Sequence, residues 1–173
     1  MSEARDFIPL NIALMTISDT RTEADDKSGA VLRRMVGEAG HGIHEQVIVP
    51  DDIYQIRATV SRWIADPGVQ AIVTTGGTGI TGRDGTPEAV RPLLDKVIEG
   101  FGEMFRMISY ELIGTSTIQS RAIAGVANGT FVFCLPGSSG ACKDGWSRLI
   151  EHQLDYRTRP CNLVELMPRL LER

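Results

Sequence analysis

Apolar runs of strand length alternate with helical stripes through the first half of the chain, and this order constrains the fold more than any other feature. The runs at residues 10–17, 46–49 and 69–75 are rich in apolar side chains. Such runs are typical of parallel strands that are covered on both faces. We therefore expect an α/β fold with a three-layer, mostly parallel sheet and helices on both faces.

Helical periodicity and capping residues predict the helices that would cover this sheet. Asp26 is a good N-cap, and Thr86 is the predicted N-cap of the third helix because Pro87 follows it at the favoured first position. The predicted helices span residues 26–39, 53–65, 86–97, 102–113, 141–152 and 160–173.

A β-hairpin is predicted near the end of the core. Asn128-Gly129 separates two alternating runs, residues 122–126 and 130–135, and Asn-Gly in that setting is a strong hairpin signal. The hairpin would add an antiparallel edge to the sheet. We interpret residues 1–173 as one domain, with a core at residues 8–155 and a C-terminal helix at residues 160–173.

Composition excludes several classes of protein. Hydrophobic residues make up 42% and charged residues 23% of the 173 residues, as in ordinary globular domains. A net charge of −4 argues against a nucleic-acid partner. No apolar run is long enough to span a membrane, and the N-terminus lacks the apolar region of a signal peptide. We expect a cytoplasmic protein whose three cysteines are buried free thiols. His41 and His44 are interpreted as residues of a surface turn.

The loop after the third predicted strand concentrates glycines. Glycines let backbone N–H groups point inward without a Cβ in the way, so such a loop can cradle a phosphate. A tight turn that needs positive φ is the alternative. The residues of this loop are Gly76, Gly77, Thr78 and Gly79.

A second candidate anion-binding loop, PGSSGA at residues 136–141, lies between a predicted strand and a predicted helix. It also approaches the G-x-S-x-G pattern of serine hydrolases. Ser139 could then be a nucleophile with His152 as its base, although His152 lies about three helical turns further along the helix.

Four aspartates fall in loops at the carboxyl ends of predicted strands, where ligands bind in sheets of this type. Asp19 follows the first strand, Asp51 and Asp52 follow the second, and Asp84 lies in RDGTPEA. Mg²⁺ binds through one or two carboxylates together with substrate phosphates. The aspartates therefore indicate Mg²⁺-dependent phosphate chemistry. Asp51 or Asp52 could instead only cap a helix, and Asp19 could be only a turn residue.

Five motifs in fixed order resemble the MoaB/MogA family of molybdenum cofactor biosynthesis proteins, across about residues 8–155. They are ISDTR at residues 17–21, PDD at 50–52, TTGGTG at 74–79, RDGTPEA at 83–89 and LPGSSGA at 135–141. The run GTSTIQSRAIAGVAN at residues 114–128 resembles the MoaB branch in particular.

This resemblance implies a molybdopterin-binding fold, a homotrimer or homohexamer, and transfer of AMP from Mg-ATP to the terminal phosphate of molybdopterin with release of pyrophosphate. The motif matches make Asp51 and Asp84 the catalytic and Mg²⁺-binding residues. The same matches imply a set of substrate-binding residues: Ser18, Asp19, Gly76, Gly77, Thr78, Gly79, Thr86, Pro136, Gly137 and Ser138. The alternative is a non-catalytic scaffold that binds molybdopterin for other molybdenum cofactor biosynthesis enzymes.

Overall fold

A mixed sheet forms the centre of the molecule, whose residues 4–172 are described by a computed structural model. Its strands are β1 (Asn11–Ile17), β2 (Gly42–Val49), β3 (Ala71–Thr75), β4 (Lys96–Val97), β5 (Ile123–Ala127) and β6 (Thr130–Leu135). Within the described residues the sheet has six strands in the order β2-β1-β3-β6-β5-β4. The strands β2, β1, β3 and β6 are parallel, and β5 and β4 are antiparallel to their neighbours.

Helices cover both faces of the sheet, which confirms the predicted three-layer fold. They are α1 (Lys27–Glu38), α2 (Ile53–Ala65), α3 (Thr86–Val90), α4 (Glu99–Ile113), α5 (Ser139–Gly145) and α6 (Glu151–Gln153). A π-helical turn, Trp146–Ile150, joins α5 to α6, and three 3-10 helices lie at Arg91–Leu93, Gly114–Gln119 and Val164–Arg169. Among residues 4–172, no helix has both the length and the apolar character needed to cross a membrane.

Strand β1 shows how the sheet divides the core into two parts. Its buried side chains alternate between faces, as the two-residue period of a strand requires. Leu14 belongs to the cluster that contains Leu32 of α1 and Phe105 of α4. Met15 belongs to the opposite cluster, which contains Trp63 of α2. The central strand is therefore apolar on both faces, as its sequence predicted.

The hairpin is confirmed, and its β5 arm together with β4 forms the predicted antiparallel edge of the sheet. Asn128 and Gly129 form the turn with φ values of 47° and 81°. The β6 arm pairs with β3 inside the sheet, and the two-residue strand β4 lies outside β5. The sequence pattern predicts a helix there, to residue 97. The helix ends earlier because Pro92 has no N–H to donate, and the chain then turns into β4.

Two further predictions about helices are wrong. Gly85, not Thr86, is the N-cap of α3. The predicted C-terminal helix at residues 160–173 is only the six-residue 3-10 helix Val164–Arg169, which contains Pro168; Arg173 lies outside the described residues. Both errors come from reading local propensity where tertiary contacts and a proline decide the backbone.

Candidate functional site

A cleft of about 500 Å³ opens at the carboxyl ends of β1, β3 and β6. This is the edge at which a parallel sheet normally binds its ligand. The structure places these sequence-predicted residues in its lining: Ser18, Asp51, Gly76, Gly77, Thr78, Gly79, Asp84, Pro136, Gly137 and Ser138. Asp19 and Thr86 are not in the lining, and their contacts give them supporting roles.

The glycine loop depends on glycine for its shape. Gly76 and Gly77 have φ values of 109° and 68°, which L side chains rarely adopt. A Cβ on Gly76 would lie 2.2 Å from the carbonyl oxygen of Ile17, the last residue of β1. The loop therefore passes so close to β1 that Gly76 has no room for a side chain.

Thr86 fixes this loop from behind. Its side chain is buried, and its hydroxyl donates to the carbonyl oxygen of Gly76 at 2.9 Å. Its backbone N–H donates to the carbonyl oxygen of Gly77 at 3.0 Å. Thr86 therefore positions the glycine loop and is not among the residues that line the cleft.

Asp84 is held as an anion beside the loop. Its Oδ2 accepts from the Thr81 hydroxyl at 2.6 Å and from the Thr81 N–H at 2.9 Å. The hydrogen bond from the Thr81 hydroxyl lowers the pKa of Asp84 most, and the one from the Thr81 N–H adds to it. Together they hold the pKa below its ordinary value, although partial burial acts to raise it. A Cβ on Gly79 would lie 2.6 Å from the same oxygen, so the loop wraps closely around this carboxylate.

Asp51 lies against the same loop, but its pKa is shifted in the opposite direction. A Cβ on Gly77 would lie 3.3 Å from Asp51 Oδ1. The pKa of Asp51 is raised, first by burial and then by the charge of Asp19, with a smaller contribution from Asp84. No salt bridge involves Asp51 within residues 4–172. Asp51 is thus a carboxyl that a bound cation would stabilise as an anion.

Asp19 and Arg83 form the pair that positions Asp51. Arg83 donates to both carboxylate oxygens of Asp19, at 2.9 and 2.7 Å. The N–H of Asp51 donates to Oδ1 of Asp19 at 3.0 Å. The Arg83 hydrogen bonds and then the Asp51 N–H lower the pKa of Asp19. Asp19 therefore ties the loop after β1 to the loops that carry Asp51 and Arg83.

Arg21 is a cleft residue that we did not predict. Its guanidinium donates to Ser28 Oγ at 2.9 Å and to the carbonyl oxygen of Gly137 at 3.2 Å. It also lies 3.5 Å from the buried carboxylate of Asp26, the N-cap of α1. The only sequence signal was the position of Arg21 in ISDTR.

Arg121 is a second residue that the sequence analysis did not predict, and its hydrogen bonds join the two ends of the loop that carries Asp84. Its Nε donates to the carbonyl oxygen of Gly79 at 2.8 Å, and its Nη2 donates to that of Asp84 at 2.9 Å. Its N–H donates to the carbonyl oxygen of Thr78 at 3.0 Å, and Nη1 pairs with Glu88. Chain segments 42 residues apart meet here, which no local pattern indicates.

The far wall of the cleft is polar and comes from α4 and the 3-10 helix after it. Ser109, Ser116 and Gln119 line it, together with Phe105 and Thr117. We did not predict these residues, because α4 has only the apolar pattern of a core or interface helix. The cleft therefore combines a carboxylate end, formed by the glycine loop with Asp51 and Asp84, and a polar far wall with hydroxyl and amide groups.

The serine hydrolase alternative finds no support in the geometry. Ser139 is the first residue of α5 and does not line the cleft. His152 instead lines a groove with Met104 and Leu149. The structure therefore does not bring the two residues into one site.

Two of the three predicted buried thiols are confirmed, and the third is wrong. Cys134 and Cys142 are buried, whereas Cys161 is exposed. Burial raises the pKa of Cys134 to about 12 and that of Cys142 to about 11. Cys142 donates to Thr75 Oγ1 at 3.1 Å under the cleft floor. His41 is also buried, not in a surface turn, and its Nδ1 accepts from the N–H of Leu10 at 3.1 Å.

Mg²⁺ fits the chemistry of the carboxylate end. Within residues 4–172, no cluster of three or more His, Cys, Asp or Glu side chains could hold a metal by itself. Mg²⁺ does not require one, since it binds through one or two carboxylates and completes its shell with phosphate oxygens and water. Asp51, with its raised pKa and no salt bridge, and the anionic Asp84 form such a partial set.

Comparison with known proteins assigns the chain to a class. A family model described as "Probable molybdopterin binding domain" matches residues 13–156. Since this match covers most of the chain, the protein belongs to the MoaB/MogA family of molybdopterin-binding domains, and the predicted resemblance is confirmed.

The individual relatives with high sequence identity are molybdenum cofactor biosynthesis proteins of the B type. Molybdenum cofactor biosynthesis protein B of Escherichia coli (strain K12) is 55% identical over 157 residues, which cover 91% of this chain and 92% of that protein. A crystal structure of molybdenum cofactor biosynthesis protein B has a TM-score of 0.84 and 47% identity, over 87% of this chain and 94% of the other. The tungsten cofactor synthesizing protein MoaB from Pyrococcus furiosus has a TM-score of 0.76 and 37% identity, over 83% and 92%.

Proposed function

We propose that this chain acts in molybdenum cofactor biosynthesis, where it binds molybdopterin and transfers AMP from Mg-ATP to its terminal phosphate with release of pyrophosphate. One observation carries the proposal: two carboxylates, Asp51 and Asp84, lie against one glycine loop. The printed names of the relatives support the pathway. A cytoplasmic location is part of the same proposal.

The glycine loop is the proposed phosphate-binding element. The loop lines a cleft of about 500 Å³, within the range of about 300–1,000 Å³ common for small-ligand sites. Backbone N–H groups and hydroxyls bind phosphate without demanding a fixed protonation state. Ser18, Thr78 and Ser138 supply hydroxyl groups in the same lining.

Asp51 and Asp84 are the proposed ligands of Mg²⁺. When bound, this ion neutralises phosphate charge and stabilises the charge that develops on the leaving group. Asp84 is already ionised and held in one orientation by Thr81. Asp51 is partly buried near other carboxylates, so cation binding relieves its repulsion with Asp19 and Asp84.

The reaction needs positioning more than proton transfer. An oxygen of the molybdopterin phosphate forms a bond to the α-phosphorus of ATP. The bond between that phosphorus and the oxygen that bridges the α- and β-phosphates breaks. Pyrophosphate leaves with the electron pair. A phosphate monoester loses its second proton near pH 6, so at neutral pH the attacking oxygen requires no general base. The protein therefore contributes orientation and electrostatic stabilisation.

The polar far wall is the proposed site of the pterin. Pterin rings carry hydrogen-bond donors and acceptors at their edge, and Ser109, Ser116 and Gln119 can pair with both kinds of group. Phe105 supplies an apolar surface in the same lining. Binding the pterin there would place its phosphate side chain toward the glycine loop.

A specific observation favours the scaffold alternative. Arg21 is the one cationic side chain in the cleft lining formed by the described residues, and its guanidinium is already hydrogen-bonded to Ser28 and Gly137. Arg83 is engaged by Asp19. A triphosphate would therefore depend almost entirely on Mg²⁺ and N–H groups for neutralisation. A protein that only binds molybdopterin for another enzyme of the pathway has no such need.

One experiment separates the two functions. The purified chain is incubated with molybdopterin, Mg²⁺ and ATP labelled at the α-phosphate, and the label is followed into the pterin product. The proposal predicts label transfer with pyrophosphate release in equal amounts. Bound molybdopterin without label transfer would establish the scaffold and exclude the transferase.

Self-association is also proposed, as a homotrimer or homohexamer. Met107 and Tyr110 of α4 and Ile118 of the following 3-10 helix are exposed by 55%, 60% and 78%. Monomeric proteins rarely expose large contiguous apolar patches, so this face is the proposed interface. Light scattering over a concentration series tests it, and a monomeric mass throughout would contradict it.

A further inference from the structure

A second pocket of about 400 Å³ contains three arginines and adjoins the cleft, with which it shares Ser120. We name it the arginine pocket. Arg91 follows α3, Arg106 lies on α4, and Arg121 precedes β5; all three line it. Glu88 and Glu99 are its acidic residues. The lining therefore carries three positive and two negative side-chain charges.

The arginines of this pocket are incompletely neutralised. The guanidinium of Arg106 makes one hydrogen bond to the residues that the structure describes, a long one of 3.4 Å to the carbonyl oxygen of Ala122. Arg91 lies 3.9 Å from Glu99, and Glu99 is 71% exposed in that pair. Exposed pairs of this kind contribute little. Most of the N–H groups of Arg106 and Arg91 are thus available to an anion.

Backbone and hydroxyl donors add to this positive potential. The fifteen-residue helix α4 begins in the pocket, and its N-cap, Ile98, provides no side-chain hydrogen bond to the helix. The positive end of the helix dipole therefore lies beside the pocket, where the first-turn residue Glu99 partly offsets it. The side-chain oxygen of Ser120, which lines the pocket, is buried and has no hydrogen-bond partner in residues 4–172.

We propose that the arginine pocket binds a phosphate-class dianion. Two arginine forks beside the start of a helix match the many acceptor oxygens of such an anion. The third arginine, Arg121, is shared with the glycine loop through Gly79 and Asp84. The pocket therefore adjoins the cleft and shares Ser120 with it, whereas Arg91 and Arg106 line the pocket and not the cleft.

Arginine labelling resolves this site residue by residue. The full chain is treated with phenylglyoxal with and without inorganic phosphate, and labelled peptides are quantified by mass spectrometry. Phosphate is expected to protect Arg106 and not Arg148, which is paired with Glu111 and lies outside the pocket. Pyrophosphate and AMP, used in separate arms, show whether the pocket accepts free phosphates or a nucleotide phosphate.

Two variants separate the pocket from the cleft. Arg91→Gln should raise the phosphate concentration for half-protection of Arg106 roughly tenfold, since one charged hydrogen-bond donor is lost. Ser138→Ala changes the cleft and should leave that concentration unchanged. Unchanged Arg106 labelling in phosphate, or equal protection of Arg106 and Arg148, would overturn the proposal. Neither result depends on AMP transfer, so this proposal and the proposed function can fail separately.

Discussion

The Nε of Arg121 donates to the carbonyl oxygen of Gly79 at 2.8 Å. The same guanidinium reaches the carbonyl oxygen of Asp84 at 2.9 Å. One side chain thus joins the two ends of the loop that wraps around the Asp84 carboxylate, and the geometry of the carboxylate end depends on it.

Removing this guanidinium should destabilise the protein. We expect Arg121→Met to lower the free energy of unfolding by about 2 kcal/mol, because a half-buried charged donor to two carbonyl groups is lost. Arg121→Lys should recover only part of this, since an ammonium lacks the planar fork. Arg148→Met, which removes an exposed ion pair, should stay within about 0.5 kcal/mol of wild type in urea unfolding. Equal effects of the two Met variants would contradict the role of Arg121.

Gly77 should not tolerate a side chain. Its φ is 68°, and a Cβ would lie 2.3 Å from Thr86 Oγ1. We expect Gly77→Ala to cost about 2–3 kcal/mol of unfolding free energy through backbone strain and displacement of Thr86. Gly82→Ala is the matched control, because an added Cβ there meets nothing within 4 Å. A Gly77→Ala protein as stable as the control would show that the loop has another conformation.

The carboxyl of Asp51 should titrate at a higher pH than an ordinary aspartate. Burial and the charge of Asp19 raise its pKa, so Asp19→Asn should lower it, as measured by carbon NMR of the side chain. As the pH falls through the raised pKa, Asp51 becomes neutral and Mg²⁺ affinity should fall with it. Added Mg²⁺ should lower the pKa of Asp51 by stabilising the anion. A pKa unaffected by Mg²⁺ would exclude Asp51 as a ligand.

The three cysteines should react at very different rates. Cys161 is exposed, whereas burial raises the pKa of Cys142 to about 11 and that of Cys134 to about 12. Because the thiolate is the reactive form, a thiol reagent at neutral pH should modify one cysteine rapidly and the other two only on unfolding. Mass spectrometry identifies the labelled residue. Rapid labelling of Cys142 would contradict the packing beneath the cleft.

Local sequence patterns predicted much of the framework. The helix α2 has the predicted bounds, Ile53–Ala65, because its cap and its apolar stripe are both local signals. The strand β4 was missed, since two residues are too few to form a pattern and pairing with β5 defines it. Pro92 should have ended the predicted third helix, and this signal was overlooked.

The sequence allowed prediction of those parts of the site that the sheet topology brings together. The carboxyl ends of parallel strands converge, so the loops with Ser18, Asp51, Gly76 and Pro136 could be expected to meet. The pairing of Arg83 with Asp19 joins residues 64 positions apart, and the contact of His41 with Leu10 joins residues 31 apart. Such partners depend on how the loops pack, which neither spacing nor periodicity encodes.

Pyrophosphate release by Asp84→Asn tests the central claim most directly. The variant is compared with wild type and with Asp6→Asn, which changes an exposed aspartate outside the cleft, at saturating molybdopterin and Mg-ATP. The account predicts a loss of roughly a hundredfold or more for Asp84→Asn, because the phosphates lose their orienting carboxylate, and a wild-type rate for Asp6→Asn. Wild-type release by a folded Asp84→Asn protein would contradict it.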